Sequence, residues 1–305
     1  MGKAIEVKQL KKSFGELKAV NGIDFYVEQG ALFAFLGPNG AGKSTTIDML
    51  TTYLQRDKGE VRVNGYELGR EDDRIRGSIG IVFQDSLLDH ALTVEENLYV
   101  RGGFYNLSRS ELRAAVEKAA RIAKVNDFIK RPYGKLSGGQ RRRADIARAL
   151  IHTPKILFLD EPTTGLDPQT RKSVWETIRE LQQEQGMTIF LTTHYMEEAA
   201  QADYITVMDH GEIIARGTPY ELKERYAQDS LKIVANDEAA LREALHAAAV
   251  PYKQEDGRFH IAIGSTVEAL PIIDICRSHI AGLEIISGTM DDVFIQLTGA
   301  GVRGE

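Results

Sequence analysis

The sequence predicts an α/β core with an antiparallel β edge, interrupted by a helical subdomain and followed by a small α+β module. Three observations carry that expectation. Residues 31–36 form a continuous apolar run, the pattern of a strand buried on both faces, and lead straight into glycines and a helical pattern. Apolar strands at 156–159, 188–191 and 204–208 are separated by a helix around 173–185, which is the βαβ alternation of a parallel sheet. Near Gly217-Thr218-Pro219 that alternation stops and a second pattern begins.

In chain order, residues 4–7 and 22–27 alternate apolar and polar positions, as antiparallel strands with one buried face do. From about 86 to 153 the character is helical, with E-E-N-L-Y-V, a capping box of Ser108 with Glu111, and Q-R-R-R-A-D-I-A-R-A-L-I. The run Arg141-Arg142-Arg143 reads as the solvated face of that last helix. Residues 220–226 suit a short connecting helix. The second pattern is strand 231–234, helix 238–248, strands 252–254 and 259–263, helix 267–278 and strand 283–287, compatible with a ferredoxin-like βαββαβ module, closed by a helix at 290–297. The expected division is therefore 1–222, 223–299 and a disordered tail at 300–305.

Composition narrows the function classes. With 305 residues and 43% hydrophobic content the chain can bury a substantial core. Its net charge of -6, with both signs interspersed, lacks the basic excess that nucleic acid or anionic lipid would demand. Cys276 is the one cysteine, so no internal disulfide forms and a reducing compartment is expected. The start M-G-K-A-I-E-V-K has no apolar stretch of signal-peptide length, Glu6 stands where myristoylation needs Ser or Thr, and no apolar run reaches about 18 residues. Work at a membrane would thus be done through another protein.

The chemistry starts at G-P-N-G-A-G-K-S. Gly37, Gly40 and Gly42 let the backbone turn its amides inward, and with Pro38, Asn39 and Ala41 they form a loop around phosphates at a helix N-terminus. Lys43 would reach the β- and γ-phosphates of a nucleotide, the Ser44 hydroxyl would coordinate Mg²⁺, and Thr45 would hydrogen-bond the α-phosphate. The strand 156–159 then delivers Asp160 and Glu161 to the C-terminal edge of the sheet, where α/β folds bind ligands. Asp160 would hold the Mg²⁺ shell. Glu161, one residue further out, is the candidate general base for a water attacking the γ-phosphate.

With L-S-G-G-Q at Leu136, Ser137, Gly138, Gly139 and Gln140, about 20 residues ahead of the acidic strand, the chain resembles an ABC transporter nucleotide-binding subunit over about residues 4–222. The resemblance implies a P-loop NTPase (RecA-like) core, ATP and Mg²⁺ as ligands, and a signature that caps the γ-phosphate held by a second subunit. It further implies roles by register. Gln84, in I-V-F-Q-D, would touch Mg²⁺ and the attacking water, Asp167, in G-L-D, would lie along the dimer partner, and His194, in L-T-T-H, would contact the γ-phosphate and orient the water. Phe14, in K-K-S-F-G, falls where the family stacks an aromatic ring on adenine, although a core or edge phenylalanine remains an alternative.

Within the family the chain resembles ATPases of ABC-2 type exporters, such as those for daunorubicin resistance and nodulation-factor export. The residues are T-V-E-E-N-L, E-P-T-T-G-L-D-P, T-T-H-Y-M-E-E-A and M-D-D-V-F-I-Q-L-T-G. This implies export of a drug-, lipid- or glycan-like substrate, a homodimer of ATP-binding subunits, no nucleic-acid partner, and a separate integral-membrane permease that holds the protein on the cytoplasmic face. Leu87, Leu88, Leu92, Tyr99 and Phe104 could line a groove for a permease helix or form the insertion's own core. A soluble ABC ATPase acting on DNA or ribosomes, and an importer ATPase, stay open as alternatives. The second module could stabilise the dimer, contact the permease or sense a ligand, and its scattered His246, His260 and His279 read as surface or structural residues.

Overall fold

The computed structural model describes residues 2–299, and the expected tail at 300–305 lies outside them. The chain divides into two compact units, the first ending at Arg216 and the second starting at Gly217.

In the first unit, β1 (Lys3–Phe14) and β2 (Leu17–Glu28) make a long antiparallel pair, extending well past the short alternating segments visible in the sequence. Register shifts, one of them around Gln9 with φ 48°, bend the pair. After β3 (Leu32–Leu36) and α1 (Lys43–Leu50), the sheet is completed by β4 (Lys58–Val63) and β5 (Tyr66–Glu67), in the order β2-β1-β4-β5. Ile5, Val7, Leu10, Val20, Ile23, Phe25 and Val27 fill one face of it and share a core with β3. That core is aromatic at its centre: the Phe33 and Phe190 rings lie 5.1 Å apart and Phe25 stacks on Phe33 at 5.7 Å.

Helix α2 (Asp72–Ser78) leads into β6 (Ile79–Val82), and the helical subdomain follows as α3 (Val94–Gly102), α4 (Arg109–Ile122) and α5 (Gly138–Leu150). The Ser108–Glu111 capping box is present, Ser108 N donating to Glu111 Oε2 at 2.8 Å and Glu111 N to Ser108 Oγ at 3.3 Å. The chain returns through β7 (Ile156–Asp160), α6 (Pro168–Gln185), β8 (Thr188–Thr193), α7 (Met196–Ala199), β9 (Tyr204–Asp209) and β10 (Glu212–Gly217). The second sheet has the order β10-β9-β3-β8-β7-β6, with β6, β7, β8, β3 and β9 parallel. Strands β3, β7 and β8 are buried along their whole length; β3 is apolar throughout, while β7 ends in Asp160 and β8 carries Thr188, Thr192 and Thr193 around its apolar centre. Register places Leu36 beside Thr193 and Asp160 beside Thr192. The loops leaving these strands therefore open at one edge.

The second unit starts with α8 (Pro219–Tyr226) and continues β11 (Asp229–Ala235), α9 (Glu238–Ala247), β12 (Lys253–Glu255), β13 (Arg258–Ile263), α10 (Ala269–Cys276), β14 (Ile280–Ile286) and α11 (Met290–Thr298). Its sheet has the order β12-β13-β11-β14 with every neighbouring pair antiparallel, the ferredoxin-like arrangement. Two expectations shift. The helix foreseen over 267–278 is α10 with a 3₁₀ turn at each end. The boundary foreseen after residue 222 falls after Arg216, because α8 buries Leu222 and packs with α11 of the second unit.

Candidate functional site

The loop between β3 and α1 is shaped by backbone crowding. A Cβ on Gly37 would sit 2.2 Å from the Met208 carbonyl oxygen, and one on Gly42, at φ 104°, would sit 2.2 Å from that of Ala19. Neither position accepts a side chain without backbone movement. Lys43 is 5% exposed, and its Nζ donates to the Gly37 carbonyl at 2.8 Å and the Pro38 carbonyl at 3.0 Å. The same Nζ lies 3.7 Å from Glu161 Oε1. Burial pulls the Lys43 ammonium below its ordinary pKa, while the carboxylates of Glu161 and Asp160 oppose that shift.

At the end of β7, Asp160 Oδ1 accepts from Ser44 Oγ at 3.3 Å and from the Thr192 hydroxyl. Glu161 turns out of the strand with φ 44°, a left-handed conformation that costs on the order of 1–3 kcal/mol for a residue with a side chain. Its amide is held by β8, donating to Thr192 Oγ1 at 3.1 Å and the Thr192 carbonyl at 3.2 Å. Its carboxylate accepts from Thr164 Oγ1 at 3.1 Å and lies 3.3 Å from His194 Nδ1. A carboxylate so oriented, beside an imidazole and an ammonium, can take a proton from a water at the mouth of the loop.

These parts face one open cleft of about 740 Å³. Phe14, Asn39, Gly40, Gly42, Lys43, Ser44, Thr45, Gln84, Glu161 and His194 line it together. Gly37, Pro38 and Asp160 stand behind that lining, tied in through Lys43 and Ser44, and Ala41 stands behind it with its carbonyl accepting from Gly211 N at 3.0 Å. Phe14 is half exposed, with Lys12 Nζ 5.5 Å from its ring centre, so it is a rim residue rather than a core one. Sequence reasoning missed Leu17, Lys18, Ala19, Thr164, His210 and Gly211 on the wall. A Cβ on Gly211 would sit 2.7 Å from the Lys18 carbonyl oxygen, so the structure holds that part of the wall to glycine.

Residues of the signature do not line this cleft. Ser137 caps α5, its Oγ accepting from Gln140 N at 3.4 Å while Gln140 Oε1 accepts from Ser137 N at 3.1 Å. A Cβ on Gly139 would meet Thr170 Cγ2 at 2.2 Å, and one on Gly138 would meet Leu166 at 2.9 Å. The two glycines thus let the start of α5 press against the loop and helix that follow Glu161. Asp167 is the N-cap of α6, accepting from Thr170 N at 3.0 Å; the Thr170 side chain and then its amide hold the carboxyl below the usual range, and Asp167 too lies outside the cleft lining.

The basic run on α5 overturns the solvated-face expectation at its centre. Arg142 is 7% exposed, and its guanidinium donates to the carbonyls of Phe83, Gln84 and Glu161. Arg148 is equally buried and donates to the Ile81 carbonyl at 2.6 Å. A run of like charges carries no mark of which member turns inward; helix spacing decides it only once the facing strand is known. Glu198 was also missed: it is buried and accepts from the Thr193 hydroxyl at 2.6 Å and from the Thr163 hydroxyl, joining the loops that carry His194 and Glu161. In the insertion, Leu88 belongs to the core, while Leu87 and Phe104 are exposed.

Residues 20–164 match the family described as ABC transporter. The chain is 38% identical over 310 residues to the daunorubicin/doxorubicin resistance ATP-binding protein DrrA of Streptomyces peucetius, covering 97% of this chain and 93% of that one. It is also 38% identical over 300 residues to the Nod factor export ATP-binding protein I of Paraburkholderia xenovorans, covering 97% of each. Among solved structures, CbiO1 from Clostridium perfringens, part of an ABC transporter complex, aligns with a TM-score of 0.68 at 29% identity, covering 81% of this chain and 96% of that one. A dimeric ATP-binding cassette in a post-hydrolysis state with ADP and Pi aligns with a TM-score of 0.63 at 29% identity, covering 70% and 98%. The loop, the acidic strand end and these relatives agree, and the chain belongs to the ABC transporter family as an ATPase of its ABC-2 exporter group.

Proposed function

We propose that two copies of this chain close on ATP, each signature completing the site of the other, and thereby drive export through a separate membrane permease. The observation that carries this reading is the absence of Ser137, Gly138, Gly139 and Gln140 from the chain's own cleft, although they open a 13-residue helix with Ser137 exposed. A helix start of that kind offers amides and a positive dipole end to a phosphate, and a second copy supplies the phosphate.

Within one site the residues take distinct parts. The amides of residues 37–42 and Lys43 hold the β- and γ-phosphates, Thr45 the α-phosphate, and Phe14 offers its ring face to the base. Ser44, Asp160 and Gln84 provide oxygen donors with an open side, and the 3.3 Å between the Ser44 and Asp160 oxygens fits a shared hard cation. Mg²⁺ bound there would offset the charge on the transferred phosphate. Glu161 accepts the proton of the attacking water, and His194, 3.3 Å from that carboxylate, orients it. Asp167 faces the partner copy.

The first unit is then the ATP-binding domain and the second an accessory module. Among the described residues no helix is long and apolar enough to cross a membrane, so we assign membrane attachment at the cytoplasmic face to the permease, with the exposed Leu87 and Phe104 in its path. We read the cargo as drug-, lipid- or glycan-like; the relatives' names, daunorubicin/doxorubicin resistance and Nod factor export, support export of a drug-like or signal molecule. A 1:1 mixture of Lys43→Ala and Ser137→Arg chains tests the composite site, because only the mixed pair contains one intact half from each. ATP-driven pairing and hydrolysis should return in the mixture and stay low in either variant alone; no recovery would overturn the geometry.

A further inference from the structure

Arg142 is placed one turn into α5, the helix whose first residues carry the signature. Its Nη1 donates to the Phe83 carbonyl at 2.6 Å, and its Nη2 donates to the carbonyls of Gln84 at 3.4 Å and Glu161 at 3.2 Å. One planar fork therefore grips the backbone of both Gln84 and Glu161, the residues we set beside the attacking water. A guanidinium spans such a set of acceptors with fixed geometry, which a single ammonium does not.

Its surroundings hold it in place. Asp145, one turn further along α5, is buried as well and accepts from Ser86 Oγ at 2.6 Å and Tyr133 Oη at 3.2 Å. Ser86 closes the segment that starts at Gln84, so the helix clasps that segment at two points, Arg142 on its carbonyls and Asp145 on its hydroxyl. Burial pulls the Arg142 pKa down while Asp145 opposes the shift, and burial raises Asp145 while the Ser86 hydrogen bond and then Arg142 and Arg148 oppose that.

We propose that Arg142 is a positioning residue for hydrolysis, a rigid tie that sets Gln84 and Glu161 relative to the signature helix. When α5 meets the nucleotide of the partner copy, the tie transmits its seating to the base in its own copy. The inference rests on the composite site and on Glu161 as base. Its distinct content is that two hydrolytic sites are linked through one guanidinium inside each chain.

Arg142→Lys keeps a charge opposite Asp145 and should fold, with kcat lowered by about tenfold or more and KM for ATP within about twofold. Arg142→Ala should lose activity and regain part of it with added guanidinium ion, at concentrations that leave the unaltered chain unaffected. Arg148→Ala, which removes a buried fork from the same helix but not from Glu161, should show no such rescue. Wild-type kcat in Arg142→Lys, or no rescue in a folded Arg142→Ala, overturns the tie; if Arg142→Ala does not fold, the kcat and KM of Arg142→Lys decide. Glu161→Gln run in parallel separates the two levels. If it hydrolyses ATP normally the base assignment fails, whereas if it is inactive and Arg142→Lys is normal, only the tie fails.

Discussion

Every buried polar or charged side chain among the described residues lies in the first unit, between Lys43 and Thr206, whereas the second unit closes over Leu231, Ile233, Leu241, Leu245, Phe259, Ile261, Ile263, Ala269 and Cys276. The contrast shows what a phosphate-cleaving site demands. Charges at the edge of a parallel sheet lose hydration, and each must find a partner: Lys43 takes two loop carbonyls, Arg142 three, and Asp160 two hydroxyls. The second unit has no such obligation. Its apolar alternation on β11 and β13 suffices to build it, and among the described residues its one buried titratable group is a thiol whose pKa burial pushes up.

The largest test of that contrast is Glu161→Gln, which keeps the shape of the side chain and removes its basicity. Hydrolysis should fall by about 10²–10⁴-fold while ATP-driven pairing persists, measured by phosphate release and by size-exclusion with ATP. Normal turnover would remove Glu161 as base. Next comes the apolar core: Phe259→Ala should cost the second unit about 3–5 kcal/mol, since the ring is fully buried on β13. The labelling rate of Cys276 by a thiol reagent reads it, and a rate unchanged from the parent would mean that this core does not hold the unit closed.

The smallest effect belongs to the helix that ends the described chain. Thr289 Oγ1 accepts from Asp292 N at 3.2 Å and Thr289 N donates to Asp292 Oδ2 at 2.8 Å, a reciprocal cap on α11. Thr289→Ala should cost about 1 kcal/mol in urea unfolding of the second unit and leave ATP hydrolysis at its parent value. A loss of turnover there would tie this module to the chemistry and sharpen its role beyond a stable accessory.

The sequence by itself determined what is local or carried by strict spacing. The buried strand before the loop, the glycines at Gly37 and Gly42, the strand ending in Asp160-Glu161 and the capping box at Ser108 all follow from side-chain size, φ preference and period, which act within a few residues. The order of elements in the second unit was legible for the same reason. Tertiary structure alone decided the rest. Strand order turned that list into the antiparallel sheet β12-β13-β11-β14, packing with α11 moved α8 across the boundary, and burial separated Leu88 from Leu87. Arg142 shows the reason most plainly. Its role depends on three carbonyls, the farthest 59 residues away in the chain, and a backbone carbonyl leaves no trace in residue identity.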